Sequence, residues 1–347
     1  MHLLFVKLKH IGDSLLLTPT LTAARAAYPD ALIWVAVRKG CEGILAGCPA
    51  IDRVVTAAAP EAARRSPLNL WHDWLLIREL KRQHFDYAFE LSDGDRGRWL
   101  CALSGARFRA TNSAGRHLNR WWLKRFNLYS AFAWQDRHRV EKDFFTVHDC
   151  LPLGTIVPPL TFARERAITP SLGQFAGRYA VLHPGTRWKR KRWPRERWIE
   201  VGIALLEQLP QLIISAGPDP EEKALASGLC AALGSRVRST EGQLSWPHLA
   251  GLLYEAALFV GVDTAAMHLA AACQCPTVAI FGPSNPSEWR PWEVTHRLIV
   301  PGTLARTQLP PERQIEGVLA SEVIQACREL VSTPPPGLAP FAIEAPG

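Results

Sequence analysis

An apolar run, HLLFVKL at residues 2–8, opens the chain, breaks sharply at Gly12 and Asp13, and is followed by a second apolar stretch. Continuous apolar runs of this length read as strands buried on both faces. The alanine-rich TLTAARAAY that follows has the composition of a helix. Pro19 suits the first position of a helix that starts at Thr18, with a short helical turn from Asp13 as the alternative. Three more strands follow: ALIWVAV with its core at 32–37, RVVT at 53–56 and DYAFEL at 86–91. Helical patterns such as WHDWLLIRELKRQ lie between them. Strands alternating with helices predict βαβ units and a parallel sheet.

The alternation pauses between about Leu151 and Arg178, where LPLGTIVPPL and ITPSLGQFAG concentrate Pro and Gly. It then restarts with RYAVLHPG as strand and turn, RERWIEVGIALLEQ as helix, and QLIISAGP and ALFVGVDT as strands. AAMHLAAAC is a helix and TVAIFGPS a further strand. The expected fold class is therefore α/β. Two Rossmann-like domains, residues 1–155 and 178–332, are joined by a linker at 156–177, with their parallel sheets facing a central cleft. A Pro-rich tail occupies 333–347, and no short-period repeat is present.

Composition narrows this picture little. The 347 residues suit two domains. No apolar run approaches the roughly 20 residues that span a bilayer. The N-terminus has no basic leader or small-residue cleavage site and reads as a first strand. The eight scattered cysteines argue for a reducing compartment and buried small hydrophobes. Cys273 and Cys275 form C-x-C without a second pair at zinc spacing, so no metal site is expected. The net charge of +8 suits nucleic acid, an anionic membrane or a phosphorylated substrate, and cannot choose among them.

Placement of the polar residues is more informative. Asp13 follows the first strand at the edge where open parallel sheets bind ligands. It reads equally as a helix cap and as a general base. The G-x-G-x-x-G dinucleotide fingerprint is absent there. HPGTRWKRKRWPRERW at 183–198 ends a strand, turns, and starts a helix at Pro194. Its cations, Arg187, Lys189, Arg190, Lys191 and Arg192, suit a diphosphate, though most read as a solvated basic loop. In the stretch from Phe259 to Trp292, Asp263 and Thr264 sit at another strand end, and the next helix carries His268. That helix start offers donors to a phosphate, while Asp263 can accept from sugar hydroxyls; a lone helical His is as often structural. In SAGPDPEEK, Glu221 and Glu222 are either first-turn caps or ribose acceptors.

Together these segments resemble the lipopolysaccharide heptosyltransferase family, inverting glycosyltransferases of family nine with the GT-B fold. The resemblance is carried by H-I-G-D-S-L-L-L-T-P near the start, H-P-G-T-R and K-R-W-P in the middle, and G-V-D-T-A-A-M-H-L-A-A-A with F-G-P-S late. W-R-P-W at 289–292 is similar to the branch that adds a side-chain heptose, heptosyltransferase III. The resemblance implies Asp13 as catalytic base and Thr186 with Lys191 at the donor phosphates. Asp263 would hold the heptose, Thr264, Ala265 and His268 would form the phosphate turn and helix, Glu222 or Glu221 would meet the ribose, and Leu244 would line the adenine pocket. By the same resemblance the loop from His183 to Trp193 is one residue longer than in the heptosyltransferase I branch, with Gly185 where that branch has Thr, so Lys189 is the alternative to Lys191. Ala265 stands where Gly is frequent.

The function this implies is heptosyl transfer from ADP-heptose to a lipopolysaccharide inner-core sugar. No cofactor is required, and magnesium acts at most as a stimulant through the diphosphate. The segment 106–126 is basic, aromatic and free of acids. It reads residue by residue as a solvated loop next to a core Trp pair. As a group it supplies acceptor contacts from Arg107, Arg109, Arg116 and Arg120, or docks on the anionic inner leaflet from the cytoplasmic side. Rival readings are a GT-B transferase with another nucleotide-sugar donor, an epimerase of similar architecture, and a nucleic-acid-binding protein; the last leaves Asp13 and Asp263 unexplained at two strand ends.

Overall fold

The computed structural model describes residues 1–58, 67–114, 118–170, 177–303, 308 and 310–332. The Pro-rich tail and Arg116 lie outside the described residues. The first half contains β1 (His2–Lys7), α1 (Ile11–Leu15), α2 (Thr18–Ala27), β2 (Leu32–Arg38), β3 (Arg53–Ala57) and α3 (Pro67–Arg82). It continues through β4 (Tyr87–Glu90), α4 (Asp95–Leu103), β5 (Phe108–Asn112), α5 (Arg120–Leu123), β6 (Leu128–Ser130) and α6 (Arg139–His148). The second half contains β7 (Tyr179–His183), α7 (Arg195–Leu206), β8 (Gln211–Ile214), α8 (Pro220–Leu233), β9 (Val237–Ser239) and α9 (Trp246–Glu255). It ends with β10 (Leu258–Val262), α10 (Ala265–Ala272), β11 (Thr277–Ile280), α11 (Pro286–Trp289), β12 (His296–Ile299) and α12 (Ala320–Ser332).

Each half builds one six-stranded, all-parallel sheet. The orders are β3-β2-β1-β4-β5-β6 and β12-β11-β10-β7-β8-β9, the same doubly wound order read from opposite ends. The order reverses between β1 and β4 and between β7 and β10, and crevices for ligands open at the carboxyl ends of those strand pairs.

Alternation along the buried strands divides the core into three layers. Leu4 and Val6 face an outer layer with Leu76, Leu80, Leu100 and Trp122 of α3, α4 and α5. Leu3 and Phe5 face a central layer that runs unbroken into the second half through Phe259, Met267 and Phe281. Ala180, Leu182, Val260 and Val262 face the third layer, under α7 and α12. The two lobes therefore share one apolar core where they meet. Segment 156–170 straps them: Thr161 N–H donates to Thr18 Oγ1 at 3.1 Å, Ile168 N–H to Pro247 O at 2.9 Å, and Trp292 Nε1–H to Pro158 O at 3.0 Å.

Some expectations need correction. The described part of segment 106–126 is not only loop: it holds β5 and the whole of α5, and of the expected core Trp pair Trp122 is buried with Leu100 and Phe126 whereas Trp121 is exposed. Only Phe108 and Ala110 give β5 an apolar side, so its sequence reads as polar. Pro194 precedes α7 as its N-cap. Both helices weighed after β1 exist, α1 as a separate five-residue turn and α2 starting at Thr18. All eight cysteines are free thiols.

Candidate active site

The break after β1 is explained by what the chain does there. His10 is the N-cap of α1, in extended backbone, and Asp13 stands at the third helical position, where Asp13 Oδ2 accepts from His10 N–H at 3.3 Å. Asp13 is thus not the N-cap weighed from sequence; it closes the helix start from inside the first turn. Asp13 is 7 % exposed, and among the described residues no group donates to its Oδ1. Beneath it, Lys7 pairs with Asp143 at 2.6 Å. Burial pulls the Lys7 ammonium down, but the carboxylates of Asp143 and Asp13 hold it above the ordinary lysine range.

Helix α1 seats directly on α10 of the other lobe. A Cβ on Gly12 would lie 3.2 Å from His268 Cδ2 and 3.6 Å from Ala265 Cα, so the bare glycine permits the approach. His268 is buried, which keeps its imidazole neutral; Asp263 and Asp13, one from each lobe, pull the other way. Among the described residues its Nδ1 has no partner, and neither has the buried Oγ1 of Thr264, the N-cap residue of α10. Unpaired buried polar atoms beside a helix N-terminus, whose first N–H groups are also unpaired, are ready for an anionic ligand.

The cations come from the loop after β7. Lys191, half-buried, donates to Asp263 Oδ2 at 2.5 Å and to Asp263 O at 3.3 Å, whereas Lys189 is exposed. Of the two lysines, the structure brings only Lys191 to Asp263. Thr186 is buried, and its Oγ1 accepts from Trp188 N–H at 3.3 Å. Arg187 reaches across the seam to His10 Nδ1 at 3.0 Å.

The two glutamates separate as well. Glu222 accepts from Gly217 N–H at 2.9 Å and lies so close to Gly185 that a Cβ there would stand 2.5 Å from its Oε2. Burial raises its pKa. Glu221 is exposed and pairs with Arg192 at 2.5 Å. Leu244 is half-buried between β9 and α9, and Ala265 opens α10.

Of the arginines expected at an acceptor site, Arg107, Arg109 and Arg120 do not join this cluster. Arg107 and Arg109 sit at the amino end of β5, the edge opposite the crevice, where Arg109 donates to Arg125 O and Ala106 O at 2.6 and 2.7 Å. Arg120 is exposed at the start of α5, in the outer helical layer. Sequence reasoning missed a second set of charges at the carboxyl edge of the first sheet. Lys142 pairs with Asp93 and lies over the Trp134 ring at 4.4 Å. Arg139, over the rings of Trp134 and Trp289, pairs with Glu288 of the other lobe. Lys7, a lone charge inside a buried run, was the available signal for this set.

The model of glycosyltransferase family 9 (heptosyltransferase) matches residues 74–310. Lipopolysaccharide heptosyltransferase 3 of Escherichia coli is 27 % identical over 296 residues, spanning 81 % of this chain and 83 % of that protein. Lipopolysaccharide heptosyltransferase 1 of Pseudomonas aeruginosa is 30 % identical over 298 residues, spanning 82 % and 80 %. Among solved structures, E. coli heptosyltransferase WaaC with ADP-2-deoxy-2-fluoro heptose superposes with a TM-score of 0.79 at 22 % identity, over 95 % of this chain and 99 % of that one. Two doubly wound, parallel-sheet lobes meeting at their carboxyl edges are the GT-B fold of the glycosyltransferases. Within that class, the chain belongs to glycosyltransferase family 9, the heptosyltransferases.

Proposed function

We propose that this chain transfers heptose from ADP-heptose to a hydroxyl of a lipopolysaccharide inner-core sugar, with inversion at the anomeric carbon and Asp13 as general base. The lipopolysaccharide heptosyltransferases among its relatives and the sugar-nucleotide analogue on the neighbouring fold support this reading. The observation that carries it is the position of His268, packed on Gly12 of the lobe bearing Asp13 and one turn into the helix that follows Asp263.

The first lobe binds the acceptor and the second the donor. The acceptor oxygen forms its bond to the anomeric carbon as the bond to the diphosphate breaks, and Asp13 takes the hydroxyl proton. Negative charge that grows on the departing ADP meets the N-terminus of α10, Thr264, neutral His268, Thr186 and Lys191. Such preorganised donors favour the transition state over the ground state. Lys191, tied to Asp263 in the free protein, turns to the diphosphate and frees Asp263 for the sugar hydroxyls. Glu222 meets the ribose and Leu244 the adenine. No cofactor is required, and magnesium assists only through the diphosphate. A lipid-anchored acceptor places the enzyme on the cytoplasmic face of the inner membrane; among the described residues no helix is long and apolar enough to cross it.

Asp13→Asn tests the mechanism. It should leave ADP-heptose binding intact and lower turnover by about 10²–10⁴, the worth of a general base. Turnover within a few-fold of wild type would reduce Asp13 to a structural cap, and preference for a UDP-sugar would overturn the donor.

A further inference from the structure

Helix α3 is apolar on two faces. Leu76 and Leu80 are buried in the outer layer, yet the opposite side exposes Leu70, Trp71, Trp74 and Leu75. Trp71 and Trp74 stack on each other at 4.9 Å with 59 % and 47 % of their surface exposed. The neighbouring helices of the same layer repeat the pattern: Trp99 of α4 meets Trp121 of α5 edge-on at 4.7 Å, both exposed, and Leu123 is exposed beside them. Of the five exposed tryptophans among the described residues, four lie on this layer. Water-facing rings in such number are not expected of a surface that stays in water.

The charges around the rings that lack an ion-pair partner among the described residues have one sign. The acids on α3 and α4 are each held by an arginine: Asp73 by Arg96 at 2.7 Å, Glu79 by Arg53 at 2.5 Å and Asp95 by Arg98 at 2.9 Å. Segment 106–126 has no acid at all. Arg78 lies over Trp74 at 5.6 Å, Arg125 over Trp121 at 3.0 Å, and Lys81 and Lys124 are exposed without an acidic partner among the described residues. Amphipathic rings flanked by uncompensated lysine and arginine match the headgroup level of an anionic bilayer, where the rings rest at the apolar boundary and the cations meet phosphate.

We infer that the outer faces of α3, α4 and α5 form the surface by which this protein docks on an anionic lipid bilayer. The inference rests on the membrane location proposed above and names the surface responsible. It also reassigns part of the basic segment 106–126: Arg120, Lys124 and Arg125, on or beside α5 in the outer layer, serve the lipid surface and not the reacting sugar.

Sedimentation with vesicles tests the surface independently of catalysis. The full chain should pellet with vesicles of phosphatidylcholine mixed with phosphatidylglycerol, fail to pellet with phosphatidylcholine alone, and release in high salt. Trp71→Ser combined with Trp74→Ser should weaken binding by about tenfold or more, and Lys124→Glu by at least about fivefold. The exposed positions leave the thermal midpoint unchanged, which separates lost binding from lost folding. If wild type pellets and the tryptophan variant pellets equally, the surface is wrong while the membrane location stands. If wild type binds neither vesicle, both fall. If single-stranded RNA displaces the protein from vesicles and binds through the same tryptophans, the occupant is nucleic acid and the inference is overturned.

Discussion

Lys189 and Lys191 stand two positions apart in one basic loop and live in different surroundings. Lys191 is half-buried against Asp263, and Lys189 projects into solvent. Under the proposed mechanism, Lys191→Ala lowers kcat/KM by about 10–100-fold, the worth of a hydrogen bond to a charged group. Lys189→Ala changes it by less than about twofold, as expected of an exposed charge. Steady-state kinetics with varied ADP-heptose decides; equal effects would make the whole loop a diffuse cation field. The sequence shows five cations and cannot rank them, because the ranking depends on a carboxylate 72 positions away. Asp13 illustrates the complementary case. A charge at a break between apolar runs is visible locally, but its helix position depends on His10 adopting the extended cap backbone.

At the level of elements, the parallel strands of the first half were legible wherever both faces are buried, as in β1 and β2. Strand β5 was not, because only Phe108 and Ala110 make its apolar side while Arg109, Thr111 and Asn112 are polar. Helix α1 has five residues and makes no periodic pattern; what holds it is packing on α10. That packing is testable at Gly12, whose added methyl would press on His268 Cδ2 at 3.2 Å. Alanine gains up to ~1 kcal/mol of helix propensity over glycine, so Gly12→Ala keeps its thermal midpoint near that of wild type. Parting the two helices by a few tenths of an ångström shifts Asp13 relative to the donor lobe, and kcat falls by about tenfold, a fraction of what a full ångström costs. Full turnover in a stable Gly12→Ala protein would mean that the seating of α1 on α10 does not position the base.

Across the whole molecule, two lobes were readable as two runs of βα alternation, but their union was not, since α6 and the W-R-P-W segment meet without any local signature. His138 is the joint. It caps α6 by accepting from Val140 N–H at Nδ1, stacks on Trp292 at 4.7 Å, and lies 2.9 Å from Arg290 O. With Nδ1 accepting and a carbonyl facing Nε2, the proton must sit on Nε2, and a second proton has no place. Burial accordingly drives the pKa from the usual 6.5 down to about 3, although the Arg290 carbonyl resists. Between those values the unfolded chain binds one more proton at this site than the folded one, so the stability it contributes is present above pH 6.5 and is lost as the pH falls toward 3. Each such proton changes the unfolding free energy by about 1.4 kcal/mol per pH unit. His183, lowered to about 4 by burial, adds a second proton of the same sign, whereas Glu90, raised to about 7 by burial, opposes over part of the range. The contribution of the joint is therefore isolated by difference. Between pH 5 and 6, the slope of unfolding free energy against pH in His138→Gln should be shallower than in wild type by about 1.4 kcal/mol per pH unit. Denaturant titrations at the two pH values measure it, and an unchanged slope would mean that His138 already charges in the folded protein and that the lobes are not held together through its neutral ring.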